Sequence, residues 1–402
     1  MIDNPLLALA IMIFAGMACG RLVKRIKLPN VTGYLIAGLL VGPSVLNIVS
    51  QQALDNFSII SNVALAFIAF SIGNEFKISY FKRVGATPII IAIFESLFAV
   101  IFVVIGLLIA GNSVPFSLAL GSIAAATAPA ATIMVIKQYK AKGPMTETLL
   151  SVVAIDDATA LIYFSIAIAI ANALEGRSVS MVKTILKPIL EIFGALGIGA
   201  AMGLIFTIPL KFFKKPGNRL ALVVGFIFLG TAVADLLGVS SLLLCMAFGA
   251  VFCNFSSDID TQNIGMITDN FTPPLYMLFF ATSGADLKLS VLPTIGVVGV
   301  IYIVLRMVGK YFGSWFSAKI CHAPKSVQNY LGFALMPQAG VAIGLSLVAE
   351  SAVPQYAATI RAVILCGTLI YELIGPGVAK FSLTKAGEIH PEPKKAKAAA
   401  AK

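Results

Sequence analysis

The sequence is short of charge. Only 12% of its 402 residues are Asp, Glu, Lys or Arg, against about a quarter in a soluble domain. With 59% hydrophobic residues, no soluble fold of this size would hide so much apolar surface. Histidine is nearly missing. His322 and His390 fall in a loop and in the C-terminal tail, which argues against a metal centre. No Cys-x-x-Cys pair occurs, and Cys19, Cys245, Cys253, Cys321 and Cys366 are scattered through mostly apolar stretches. They read as small packing residues. No basic stretch precedes the first apolar run, which leads to Arg21 rather than to a small-residue cleavage site, so no cleaved signal peptide is expected. No nucleophile–base pair or metal cluster marks the apolar runs, so neither an enzyme nor a cofactor is expected.

What is present is length of apolar run. Stretches of 18 or more apolar residues recur from end to end, each able to cross a hydrocarbon core about 30 Å thick. In such a solvent every backbone polar group must be satisfied internally. Runs this long, rich in Leu, Ile, Val and Ala, satisfy it as helices rather than barrel strands. The expectation is an all-α polytopic membrane protein with about 13 transmembrane helices between residues 5 and 380.

The net charge of +11 does not point to nucleic acid, because the basic residues sit in short connections. With the N-terminus outside, 22 Lys and Arg fall in the inner connections and C-terminal segment, 4 in the outer ones and 3 within spans. That asymmetry predicts an odd number of spans, with the C-terminus cytoplasmic and the protein in the cell (inner) membrane. The acidic stretch 256–267 (Asp258, Asp260), expected to be an inner loop, departs from this pattern.

Thirteen spans divide as six, one and six, and a single linking helix inverts the second half. Inverted repeats are a transporter plan with the site where interrupted helices meet. The fifth spans of the two halves, 115–136 and 327–350, each carry a mid-run proline: Thr127-Ala128-Pro129 and Met336-Pro337-Gln338-Ala339-Gly340. Proline removes a backbone donor and clashes with the preceding turn. A matched pair of such breaks is the sequence pointer to a binding site.

Ionisable residues inside the membrane cost roughly 2.5–3.5 kcal/mol or more, so each is a functional candidate. Asp156 and Asp157 lie in the middle of the sixth span, 145–173. Two carboxylates close together in a low dielectric do not both ionise cheaply without a cation. Their oxygens suit a hard monovalent cation, and accept protons when it leaves. Arg306 and Lys310, four apart in the eleventh span, share one face. Lysine changes protonation readily when buried and arginine does not. Lys310 is therefore the expected partner of Asp156. Arg306 is either a fixed counter-charge or a residue near the interface. Glu95 and Glu372 read as helix caps or network members, and Glu75 and Asp286 as span-end residues.

Several stretches then align with one family. Leu28-Pro29-Asn30-Val31-Thr32-Gly33-Tyr34 with Gly42-Pro43-Ser44, Gly73-Asn74-Glu75-Phe76, Leu237-Gly238-Val239-Ser240, Phe279-Phe280 with Gly284, and Glu372-Leu373-Ile374-Gly375-Pro376 occur in order. Together with Asp156-Asp157 and Lys310, they resemble the monovalent cation/proton antiporters of the NapA-like and Kef-like branch, over roughly residues 5–388. The resemblance implies an NhaA/NapA-like fold of two inverted six-helix repeats with crossed broken helices. It implies scaffold and dimer helices at 5–74 and 218–285, a linker helix at 187–211 and core helices at 87–173 and 290–380.

By the same resemblance, Asp157 would bind Na⁺ with Asp156 beside it, Asp156 would pair with Lys310, and the protein would be a homodimer moving as an elevator. Thr127, Pro129, Pro337, Gln338, Arg306 and Glu95 would support the site. The pattern of two aspartates and a lysine implies electrogenic sodium/proton exchange. A K⁺/H⁺ antiporter and a cation channel or sensor are the alternatives, with Li⁺ a further test ion. Ala128 stands where many relatives carry an acid, and Gln338-Ala339-Gly340 where some carry Arg-Gly-Glu. No soluble regulatory domain is expected after the membrane part, and 389–402 reads as a disordered tail.

Overall fold

The computed structural model describes residues 2, 4–74, 78, 85–175, 181–287, 289 and 295–389. Glu75, His390 and the expected tail from 390 onward lie outside these. Among the described residues the secondary structure is helical, with one isolated β-bridge between Ile2 and Val49.

The helices are α1 (Pro5–Arg25), α2 (Asn30–Val41), α3 (Gln51–Asp55), α4 (Ser58–Asn74), α5 (Thr87–Ile109), α6 (Val114–Ile123), α7 (Pro129–Tyr139), α8 (Pro144–Leu174) and α9 (Met181–Phe206). They continue with α10 (Pro216–Leu237), α11 (Ser241–Phe255), α12 (Asp258–Phe271), α13 (Pro273–Asp286), α14 (Gly296–Ile320), α15 (Lys325–Ala334), α16 (Gly340–Ala352) and α17 (Ala357–Lys385). Proline occupies the first turn of α1, α5, α6, α7, α8, α10 and α13. There the missing N–H removes no intrahelical bond and the fixed φ favours helix. Among the described residues, seven helical stretches are long and apolar enough to cross a membrane, including α1, α5, α8, α10 and α14.

Buried side chains gather these helices into two packing groups. One joins α1–α4 with α9–α13 around Phe70, Phe206, Phe248 and Phe252. The other joins α5–α8 with α14–α17 around Phe164, Tyr302 and Leu335. Ala130, Ala131, Ile133 and Ala154 from the second group pack into the cluster of the first.

The runs 115–136 and 327–350 are each two helices, α6 with α7 and α15 with α16, separated at 124–128 and 335–339, so both are interrupted beside their mid-run prolines. Two other stretches differ from expectation. The run 29–48 is helical only to Val41, because Gly42 leaves the helix and Pro43 follows. Residues 256–267 are no loop: most of this stretch is helix α12. The Ser257 hydroxyl accepts from Asp260 N at 3.1 Å, and Asp258 and Asp260 sit in the first turn. Acids there favour the positive helix end, and Arg219 Nη2 donates to Asp260 Oδ1 at 2.7 Å.

Candidate functional site

α5 and α14 approach closely because α14 turns Gly309 and Gly313 toward α5. A Cβ at Gly309 would stand 2.7 Å from Ala99 Cα, and one at Gly313 2.6 Å from Glu95 Cα. Small residues four apart allow such contact between membrane helices. The contact sets Glu95 against Lys310, and both are fully buried. Lys310 Nζ lies 2.8 Å from Glu95 Oε2 and 3.0 Å from Oε1. It also donates to Thr127 Oγ1 at 2.6 Å and to Ala125 O at 2.8 Å. Asp156 Oδ2 stands at 3.5 Å. The sequence paired Lys310 with Asp156 alone; the shorter contacts go to Glu95.

Asp156 is held by hydroxyls. Thr127 Oγ1 donates to its Oδ2 at 2.5 Å, and Ser96 Oγ lies 3.3 Å from Oδ1 and 2.7 Å from Glu95 Oε1. Thr159 Oγ1, 3.1 Å from Ser96 Oγ, donates to the Asp156 carbonyl at 2.9 Å. Ser96 and Thr159 were not legible as site residues, since a hydroxyl in an apolar helix carries no charge signal. Asp157, the next residue on α8, is 4% exposed, and its Oδ1 has no hydrogen-bond partner. It is the carboxylate of the pair with free coordinating capacity.

The two helix breaks meet beside this network. Pro129 opens α7, and Ala128 N donates to Pro337 O at 2.8 Å. Each half-helix ends in carbonyls that have no intrahelical donor. Arg306, expected either here or near the interface, is fully buried and serves these carbonyls. It donates from Nε to Ala124 O at 3.1 Å, from Nη2 to Ala126 O at 2.7 Å and from Nη1 to Met336 O at 2.7 Å. The Tyr371 ring lies 4.5 Å from its guanidinium carbon. Gln338 Nε2 donates to Ile123 O at 3.1 Å, and its side chain also meets the Tyr302 hydroxyl. The structure thus brings Glu95, Thr127, Asp156 and Lys310 into one hydrogen-bonded network. Arg306, Gln338, Pro129 and Pro337 form the crossing that supports it.

With every group ionised, three carboxylates (Glu95, Asp156, Asp157) face two bases (Lys310, Arg306). One negative charge is left over, which one proton or one monovalent cation offsets. A cavity of about 630 Å³ reaches Thr127, Ala128 and Pro129 from the end of the molecule that carries Gln51 and Asp286. No group of three or more His, Cys, Asp or Glu able to hold a metal ion occurs among the described residues.

Residues 9–385 match the family model "Sodium/hydrogen exchanger, transmembrane". The chain is 25% identical over 377 residues to the Na⁺/H⁺ antiporter NhaS4 of Synechocystis sp., covering 82% of this chain and 86% of that protein. It is 23% identical over 371 residues to cation/H⁺ antiporter 20 of Arabidopsis thaliana, covering 82% of this chain and 44% of that longer protein. The fold resembles that of the sodium proton antiporter MjNhaP1 from Methanocaldococcus jannaschii at pH 8. The TM-score is 0.75 at 18% identity, over 96% of this chain and 98% of that one. The family match runs through both helix breaks, Asp156, Asp157 and Lys310, and the chain belongs to the sodium/hydrogen exchanger family of monovalent cation/proton antiporters.

Proposed function

We propose that the protein exchanges Na⁺ for H⁺ electrogenically, with both ions competing for Asp157 and Asp156. The observation that carries this reading is the asymmetry of the aspartate pair. The Asp156 carboxylate is occupied by Thr127, Ser96 and Lys310, whereas Asp157 keeps an oxygen with no protein partner in a buried setting. A buried carboxylate oxygen without a partner is stabilised by a proton or a cation.

Na⁺ binds ionised Asp157, and Asp156 and Thr127 supply further oxygens. Drawing Asp156 toward the cation loosens its hold on Lys310. The network of Glu95, Asp156 and Lys310 carries the second proton. Two protons then exchange for each Na⁺, one on Asp157 and one on this network, and net charge moves with each cycle.

The 13-span, inverted-repeat arrangement, with α1–α4 and α10–α13 as scaffold and α5–α8 and α14–α17 as moving core, fits the two packing groups. Within this reading α9 links the halves, the scaffold pairs two copies in a homodimer, and the core slides as an elevator. The protein sits in the inner membrane with its C-terminus cytoplasmic. The test is proton flux in liposomes on addition of Na⁺, Li⁺ or K⁺. Exchange driven by Na⁺ and altered by an imposed voltage is expected. A response to K⁺ alone would assign the protein to potassium, and full exchange in Asp157→Asn would remove the site.

A further inference from the structure

Glu372 and Thr368 take no part in the network above. They stand four apart on α17, on one face. Glu372 is 4% exposed and Thr368 is 3% exposed. Both line the cavity that reaches Thr127. Glu372 Oε2 and Thr368 Oγ1 are each buried without a hydrogen-bond partner. They belong to a stripe of α17 along the cavity wall: Arg361, Leu365, Thr368 and Glu372, at spacings of four, three and four. Asp286 of α13 faces the same cavity from the opposite packing group.

A helical Cβ tilts toward the N-terminus, so the Glu372 side chain leans over the turn that carries Thr368. Each leaves one oxygen without a hydrogen-bond partner, a carboxylate oxygen on Glu372 and a hydroxyl on Thr368, and oxygen donors of this kind suit hard cations. The position is fixed relative to the crossing, because a Cβ at Gly375, one turn on, would stand 2.8 Å from Pro337 Cγ.

We propose that Glu372 and Thr368 form a second cation-binding station on the cavity wall, which receives the ion before it reaches Asp157. The carboxylate draws the cation into the cavity and holds it close to Thr127. The proposal rests on the exchange reading for the identity of the cation and for its onward passage to Asp157.

The experiment has two readouts. In right-side-out and everted vesicles, Glu372→Gln slows exchange. It raises the half-saturating Na⁺ concentration at least fivefold when Na⁺ is presented on the side of Gln51 and Asp286, and by a smaller factor from the other side. Glu372→Asp restores part of the effect. An equal change from both sides, or none, overturns the station. Thr368→Val is read by the same criteria should Glu372→Gln not reach the membrane. The second readout needs no transport. In purified full-length Asp157→Asn, added Na⁺ still raises the melting temperature, and Glu372→Gln in that background removes the rise. A rise that survives in the double variant overturns the proposal. Exchange that survives in Asp157→Asn would sink the aspartate site while leaving this second readout intact.

Discussion

Both carboxylate oxygens of Glu95 lie within 3.0 Å of the Lys310 ammonium. Glu95 is therefore the principal counter-charge of the lysine, and Asp156 shares it. Removing one member of a buried pair costs roughly 3–5 kcal/mol when the other charge is left alone. In Glu95→Gln, Asp156 stands ready at 3.5 Å and takes over the lysine. The expected loss is thus near the lower bound, about 3 kcal/mol, and Asp156 becomes less available to Na⁺. Thermal unfolding with and without Na⁺ checks both effects. A variant as stable as wild type, with unchanged Na⁺ response, would show that Glu95 does not carry the pair.

Arg306→Lys should be damaging although charge is conserved. A guanidinium spreads its donors over a fixed fork, and an ammonium is a single point. No lysine reaches Ala124, Ala126 and Met336 together. Each buried carbonyl left unserved costs about 1–3 kcal/mol. Exchange should fall at least tenfold, with a lower melting temperature. Wild-type exchange in Arg306→Lys would mean that the crossing holds without the fork.

Acid should inhibit by competition. A proton on Asp157 excludes Na⁺, so lowering pH lowers apparent Na⁺ affinity while the maximal rate at saturating Na⁺ changes little. One competing proton gives about a tenfold rise in half-saturating Na⁺ per pH unit, and two give a steeper rise. Initial rates over a grid of Na⁺ and pH measure this slope. A half-saturating concentration independent of pH would break the shared-site mechanism.

Glu388 anchors the end of the described chain to the start of the aspartate helix. Its carboxylate accepts from Met145 N and Thr146 N at 2.7 Å each, and from Thr146 Oγ1 at 2.6 Å. An acid at a helix N-terminus satisfies orphan donors and opposes the dipole. Glu388→Ala should cost about 2 kcal/mol. Gly143→Ala should do comparable harm, because Gly143 has φ 155° and a Cβ there would stand 2.4 Å from Glu388 Cδ. Melting temperatures of both variants, unchanged from wild type, would refute the anchor.

The helix breaks and the aspartate pair were legible because each violates a local rule. Pro129 and Pro337 stop runs that otherwise read as continuous helix, and Asp156 and Asp157 interrupt an apolar stretch. Partners were less legible. Glu95 meets Lys310 across 215 residues of chain, and only the glycine contact of α14 on α5 brings them together. Arg306 binds main-chain carbonyls, which every residue has, so no side-chain pattern announces them. Residues 256–267 read as a loop because their polarity masked an amphipathic helix. Glu388 is the last residue before the stretch read as a tail, and its partners are two backbone N–H groups and the Thr146 hydroxyl, which no side-chain charge pattern announces.

The Arg306 guanidinium grips Ala124 and Ala126 on one interruption and Met336 on the other, and Ala128 is tied to Pro337. A push on either interruption is transmitted to the other through these links. The pair behaves as one rigid cradle. Under the elevator proposal, the cargo changes sides without the cradle being taken apart, which leaves the resistance to turnover at the surfaces around it.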